Sequence, residues 1–214
     1  MSYVNPTDFA KKMIDSGVTK VSMSTKETLI RAYMAGAILT LAAAFAVTVT
    51  VNTRNPLIGT LLFPAGFSML YLLGFDLLTG VFTLVPLALI DRRRGVTPKG
   101  MLRNWRLVFC GNFAGAFTVA IFMAIIVTFG WSEAPNAVGE KIGHIGEGRT
   151  VGCAAHGAAG MLTLFVRAGM CNWMGSTSVV AVMMSTSVSV GNYIVNMFLF
   201  PAGLLLGGNF TIGD

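Results

Sequence analysis

Long hydrophobic runs without a charged side chain dominate the chain. Four runs contain no Asp, Glu, Lys or Arg: residues 32–53, 55–75, 107–132 and 168–213. Each exceeds the roughly 20 residues that a helix needs to cross a bilayer, and the last is long enough for more than one crossing. The pattern predicts an all-α membrane protein, and the alternative is the buried core of a soluble helical protein.

The second hydrophobic region, residues 57–90, is too long for one straight crossing and too short for two crossings with a turn. We expect the helix to break at Gly74-Phe75-Asp76 and on through Thr79-Gly80, because glycines and short polar side chains free the backbone from helical geometry. An ionisable residue at membrane depth, here Asp76, is a functional candidate by default. The alternative is that Asp76 caps the second half-helix by accepting backbone N–H bonds.

A second interrupted segment is predicted near the end of the chain. The stretch VGNYIVNMFLFPAGLLLGG, residues 190–208, opens a hydrophobic run with Gly191 and Asn192 and places Asn196 four residues further on. Two interrupted segments in corresponding halves of a sequence are typical of an inverted-repeat transporter with its substrate site near the membrane midplane.

The distribution of charge predicts the topology. Basic residues are concentrated in the N-terminal segment and in the turn DRRRGVTPKGMLRNWR, residues 91–106; both should be cytoplasmic in a cell (inner) membrane protein. We predict an amphipathic cytoplasmic helix over residues 1–26 and a transmembrane channel domain over 27–214. Its predicted spans lie at about 28–52, 56–90 (interrupted near 74–80), 106–130, 157–184 and 191–208.

Composition excludes several other functions. The chain is 54% hydrophobic and 11% charged, and its net charge of +6 fits the topology and contact with anionic lipid headgroups better than nucleic acid, for which no motif is present. No nucleophile–base pair, metal cluster or phosphate loop is recognisable, and three cysteines without a CxxC pair are expected to be small hydrophobic residues. We therefore predict a protein that is not an enzyme and has no cofactor or metal.

Several motifs together resemble the formate/nitrite transporter family. They recur in the family's order: FPAGF at 63–67, DLLTG at 76–80, FCGNFAGA at 109–116, CNWM at 171–174, VNMFLFPAGLLLGG at 195–208 and FTIGD at 210–214. The resemblance implies a homo-pentamer of aquaporin-like protomers, each with an inverted-repeat bundle of six spans. Each protomer would have its own pore for small monovalent anions such as formate, nitrite or hydrosulfide.

The resemblance also implies which residues line the pore. The loop that interrupts the second span would carry Leu77, Leu78 and Thr79, and Phe63 and Phe67 would contribute to two apolar slits on either side of a central chamber. Together with Asp76, Asn192 and Asn196, these residues form the predicted substrate path.

Two departures from the family pattern keep other functions open. Family members usually carry a Glu-His or similar pair where this chain has Gly191 and Asn192. The chain is also shorter than the family between Cys171 and Asn196, and it stops where the sixth span would begin. Alternatives to an anion channel are therefore a pore for small neutral solutes or protonated weak acids, and a non-conducting truncated paralogue.

Overall fold

The computed structural model describes residues 6–177 and residue 205. Residues 6–177 contain no strand, and their helices are α1 (Pro6–Ser22), α2 (Thr25–Thr53), α3 (Pro56–Leu62), α4 (Pro64–Leu72), α5 (Leu78–Ile90), α6 (Pro98–Val127), α7 (Ala137–Arg149), α8 (Val151–Ala154) and α9 (Gly157–Thr177). Within this part of the chain, α2 and α6 are long and apolar enough to cross a membrane by length and composition.

Polar residues just before the helices explain where several of them begin. The side chains of four residues accept hydrogen bonds from backbone N–H groups of the first turn: Ser24 at α2, Asn55 at α3, Thr97 at α6 and Asn136 at α7. Proline occupies the first position of α3 and α6, where its missing N–H would have no intrahelical partner. The α2 and α6 boundaries are thus determined locally by the sequence.

The core of the fold is the contact between α2 and α6. A Cβ atom added at Gly36 would overlap the carbonyl oxygen of Asn112, and one added at Gly115 would overlap that of Tyr33. Gly111 lies in the same way against Ala32. Small residues on both helices therefore let the two backbones approach closely, as is common where helices pack in membranes.

The region of residues 57–90 is interrupted twice. The first interruption separates α3 from α4 at Phe63, before Pro64, and was not expected from the sequence. The second covers residues 73–77, where Gly74 has a φ of +70° that favours glycine. Thr79 and Gly80, which were expected to belong to the break, already lie in α5.

The segment after α6 and the C-terminal part of the chain can also be compared with the sequence prediction. The segment between the predicted spans at 106–130 and 157–184 contains α7 and α8. The predicted span at 191–208, and the part of the predicted 157–184 span that follows Thr177, lie outside the described residues.

Candidate functional site

The non-helical segment between α4 and α5 lies inside the protein. Asp76, Leu77, Leu78 and Thr79 all have exposed fractions of 4% or less. Backbone without helical hydrogen bonds is tolerated at membrane depth only when protein surrounds it or when it lines a wet cavity. This segment, residues 73–77 with the first turn of α5, is therefore the candidate functional site, and we call it the interruption.

Asp76 does not cap α5, which corrects the alternative drawn from the sequence. The N-cap residue is Leu77, whose own side chain makes no capping hydrogen bond. The Asp76 carboxylate instead forms an ion pair with Lys20 of α1 through Oδ1. Its second oxygen, Oδ2, is buried and has no hydrogen-bond partner among the described residues. Lys20 thus neutralises a carboxylate that would otherwise be an isolated charge inside the bundle.

Three more groups hold the backbone of the interruption. Arg31 Nη1 of α2 donates a hydrogen bond to the carbonyl oxygen of Gly74 at 3.1 Å. The backbone N–H of Phe75 donates to Leu70 O at 3.0 Å. In the first turn of α5, Val81 O accepts a hydrogen bond from Trp105 Nε1 of α6 at 3.3 Å. The interruption is therefore fixed by contacts from both long helices.

Asn112 makes three side-chain hydrogen bonds, two of them to the interruption. Its Nδ2 donates hydrogen bonds to Ala32 O at 2.7 Å and to Asp76 O at 2.9 Å. Its Oδ1 accepts a hydrogen bond from the backbone N–H of Leu78 at 2.9 Å. The side chain is fully buried, so one amide joins α2, α6 and both ends of the turn into α5.

The apolar residues predicted for the slits lie in one cluster. Phe63 and Phe67 contact each other edge to face, with ring centroids 5.6 Å apart and planes at 76°. Both belong to the same contiguous core cluster as Leu77 and Leu78. Of the predicted site residues, the structure thus brings together Phe63, Phe67 and the whole DLLT segment at 76–79. Asn192 and Asn196 lie outside the described residues, and their place in the site stays a prediction.

Sequence reasoning missed several residues of this site, among them Lys20 and Asn112. Lys20 was assigned only to the basic cytoplasmic segment, although it is the partner of Asp76. Asn112 was noted only as part of the family motif FCGNFAGA at 109–116. The sequence feature that pointed to Asn112 is a polar amide side chain between Gly111 and Gly115, within the charge-free run of residues 107–132. A buried amide in such a run needs hydrogen-bond partners, and this requirement could have identified it.

The N-terminal helix and the basic turn after α5 lie side by side. Arg93 forms an ion pair with Asp15 of α1 at 3.3 Å. Arg103 donates a hydrogen bond to Thr25 Oγ1 at 2.7 Å, and Asn104 Nδ2 donates to Lys20 O at 2.9 Å. The two basic segments that the charge pattern assigned to one side of the membrane are therefore in direct contact.

Comparison with known proteins gives consistent matches. A family model described as "Formate/nitrite transporter" matches residues 7–193. A "Probable formate transporter" of Methanothermobacter thermautotrophicus is 26% identical, over 97% of this chain and 85% of that protein. The "Formate channel BtFdhC" of Bacillus thuringiensis is also 26% identical, over 100% of this chain and 86% of its own length.

The fold itself matches a solved structure. A "Pentameric formate channel with formate bound" superposes with a TM-score of 0.66 over 84% of this chain and 75% of that chain, at 22% sequence identity. At this identity the match shows the fold. Together with the long apolar helices, the matches identify an all-α membrane protein with an interrupted helix, as the hydrophobic pattern predicted.

Proposed function

Because the chain belongs to the formate/nitrite transporter family, we propose that it forms a channel for small monovalent anions such as formate, nitrite or hydrosulfide. The observation that carries the proposal is the buried interruption. A small anion that enters hydrocarbon loses its hydration shell, so a pore must offer it N–H donors or positive helix ends. Helix α5 begins at Leu78, next to Thr79, and its dipole places a partial positive charge at this N-terminus.

Charge at the interruption is compatible with an anion. An unpaired carboxylate at Asp76 would repel a negative permeant, but the Lys20 ammonium group neutralises it. Arg31, whose guanidinium also forms an ion pair with Glu27, donates a hydrogen bond to the same turn at Gly74. The local balance of charge around residues 73–79 therefore does not exclude an anion.

The surrounding apolar residues would supply selection by size. Phe63 and Leu78 are 6% and 4% exposed, so neither lines a wide opening in this structure. We propose that Phe63, Phe67, Leu77 and Leu78 form narrow apolar slits beside the polar interruption. Such slits admit small, weakly hydrated ions and reject larger ones.

Assembly and topology follow from further observations. A pentamer is supported by the fold match to a protein whose structure is described as a pentameric formate channel, and apolar side chains such as Phe109 and Phe113 on the outside of α6 would face lipid or a neighbouring protomer. We place the N-terminus in the cytoplasm and the chain in the cell (inner) membrane. The contact between α1 and the basic turn supports this, since both carry the positive charge typical of cytoplasmic segments.

A second candidate function is a pore for small neutral solutes or protonated weak acids. Asn192, which stands where the family resemblance leads us to expect a histidine, favours it. An amide can donate a hydrogen bond but cannot protonate a weak acid at physiological pH.

Flux measurements on purified protein in liposomes separate these functions. Rapid entry of formate, nitrite or hydrosulfide without glycerol entry supports the anion channel. Rapid glycerol entry without nitrite entry supports the neutral pore. Absence of flux for all four permeants, from a protein that assembles as an oligomer, supports a non-conducting paralogue.

A further inference from the structure

The side chain of Asn112 satisfies the backbone groups that the interruption leaves without helical partners. Leu78 is the first residue of α5, so its N–H has no acceptor within the helix, and the Asp76 carbonyl precedes the helix. Asn112 accepts a hydrogen bond from the first group and donates one to the second. Asp76 and Leu78 are 1% and 4% exposed, so bulk water does not reach these groups and they depend on a protein partner.

The position of Asn112 is itself fixed by the close packing of α2 and α6. Its second N–H is bonded to Ala32 O of α2 at 2.7 Å. Gly36 leaves no room for a Cβ atom against the Asn112 backbone, and Gly115 leaves none against Tyr33. Because the side chain is held in this way, the relative position of α2 and α6 determines where the first turn of α5 lies.

We propose that Asn112 is a positioning residue that sets the location of Leu78 at the constriction and thereby the size limit for the permeant. The proposal rests on the proposed function, since it assigns a role within the same pore. Loss of the three hydrogen bonds would leave the Asp76 carbonyl and Leu78 N–H without partners. The turn would then move to satisfy them, and Leu78 would move with it.

The test compares formate with acetate, which is larger by one methyl group. Initial rates of entry are measured in liposomes that contain wild type, Asn112→Leu or Thr40→Val. Leucine is close in shape to asparagine and removes all three hydrogen bonds. Thr40→Val is the matched control, because Thr40 is a fully buried polar residue of α2 whose hydroxyl has no hydrogen-bond partner among the described residues.

We expect Asn112→Leu to raise the ratio of acetate to formate entry by about tenfold, the usual effect of one methylene group on selection by an apolar pocket. Thr40→Val should leave the ratio at the wild-type value. An unchanged ratio in an Asn112→Leu protein that assembles normally would overturn the proposal. If Asn112→Leu does not assemble, Asn112→Ala serves instead, because it also removes all three hydrogen bonds; a wild-type ratio in an assembled Asn112→Ala protein would also overturn the proposal.

Hydrogen exchange of the peptide that covers residues 73–81 gives a readout that does not depend on transport. Faster exchange in the Asn112 variant than in Thr40→Val supports the positioning role, and equal exchange contradicts it. If wild-type protein carries none of formate, nitrite and hydrosulfide while the exchange result is as expected, the proposed function is wrong and the positioning of the interruption by Asn112 is retained.

Discussion

Removal of Lys20 tests whether the N-terminal helix stabilises the interruption. The Asp76 side chain is fully buried and that of Lys20 is 13% exposed. Lys20→Met would leave the Asp76 carboxylate buried without its counter-charge. Loss of one partner of a buried ion pair costs roughly 3 to 5 kcal/mol, so we expect a decrease of that size in the free energy of unfolding.

A double-mutant cycle separates the pair from the loss of lysine packing. Asp76→Asn in the Lys20→Met background removes the uncompensated charge and should recover about 1 to 3 kcal/mol relative to the sum of the single variants. Unfolding is followed by titration with a denaturing detergent in mixed micelles, with the helical circular dichroism signal as the readout.

A matched exposed pair provides the control. Asp15 of α1 contacts Arg93 at 3.3 Å, with side chains 64% and 40% exposed. Asp15→Asn should therefore change stability by only about 0 to 1 kcal/mol. Equal effects of Lys20→Met and Asp15→Asn, or strictly additive effects at Lys20 and Asp76, would refute the conclusion that the buried pair holds α1 to the interruption.

Three further predictions concern packing, the slits and the predicted chamber. Gly36→Ala should reduce the thermal stability of the oligomer, because its Cβ would overlap the Asn112 carbonyl oxygen; an unchanged melting curve would contradict the packing of α2 on α6. Phe63→Ala and Leu78→Ala should each speed small-anion flux or relax its selection by size. Because Phe→Ala in a core also costs about 3 to 5 kcal/mol of stability, assembly of the variants is checked by size-exclusion chromatography. Unaltered flux and selectivity in both variants would exclude these residues from the slits. Asn192→His should add a pH-dependent component to nitrite flux between about pH 5 and 8, and coincident pH profiles for two active proteins would show that residue 192 does not face the pore.

The fold and the site differ in how far they could be predicted. Charge-free runs and the ordered motifs predicted an all-α membrane protein of this family, and the family match and the superposition confirm it. The break near Gly74 and Asp76 was predictable because a glycine and a charge within an apolar run are local signals. The break at Phe63 was missed, although Pro64 marks it, because proline is also well tolerated in the first turn of a helix.

The partners of the interruption could not be predicted in the same way. Lys20 and Asp76 are 56 positions apart, and Asn112 bonds Ala32 across 80 positions. Such contacts depend on how α1, α2 and α6 pack, which hydrophobic periodicity does not specify. The capping role considered for Asp76 was a local explanation, and the long-range contact with Lys20 replaced it.

Entry of nitrite into liposomes at pH 8 tests the proposed function most directly, because nitrite is fully ionised there and cannot cross as a neutral acid. We expect purified oligomer to raise the initial rate of nitrite entry well above that of protein-free liposomes, while glycerol entry stays at the protein-free rate. Nitrite entry equal to that of protein-free liposomes, with rapid entry of glycerol through the same protein, would contradict an anion channel and identify a neutral pore.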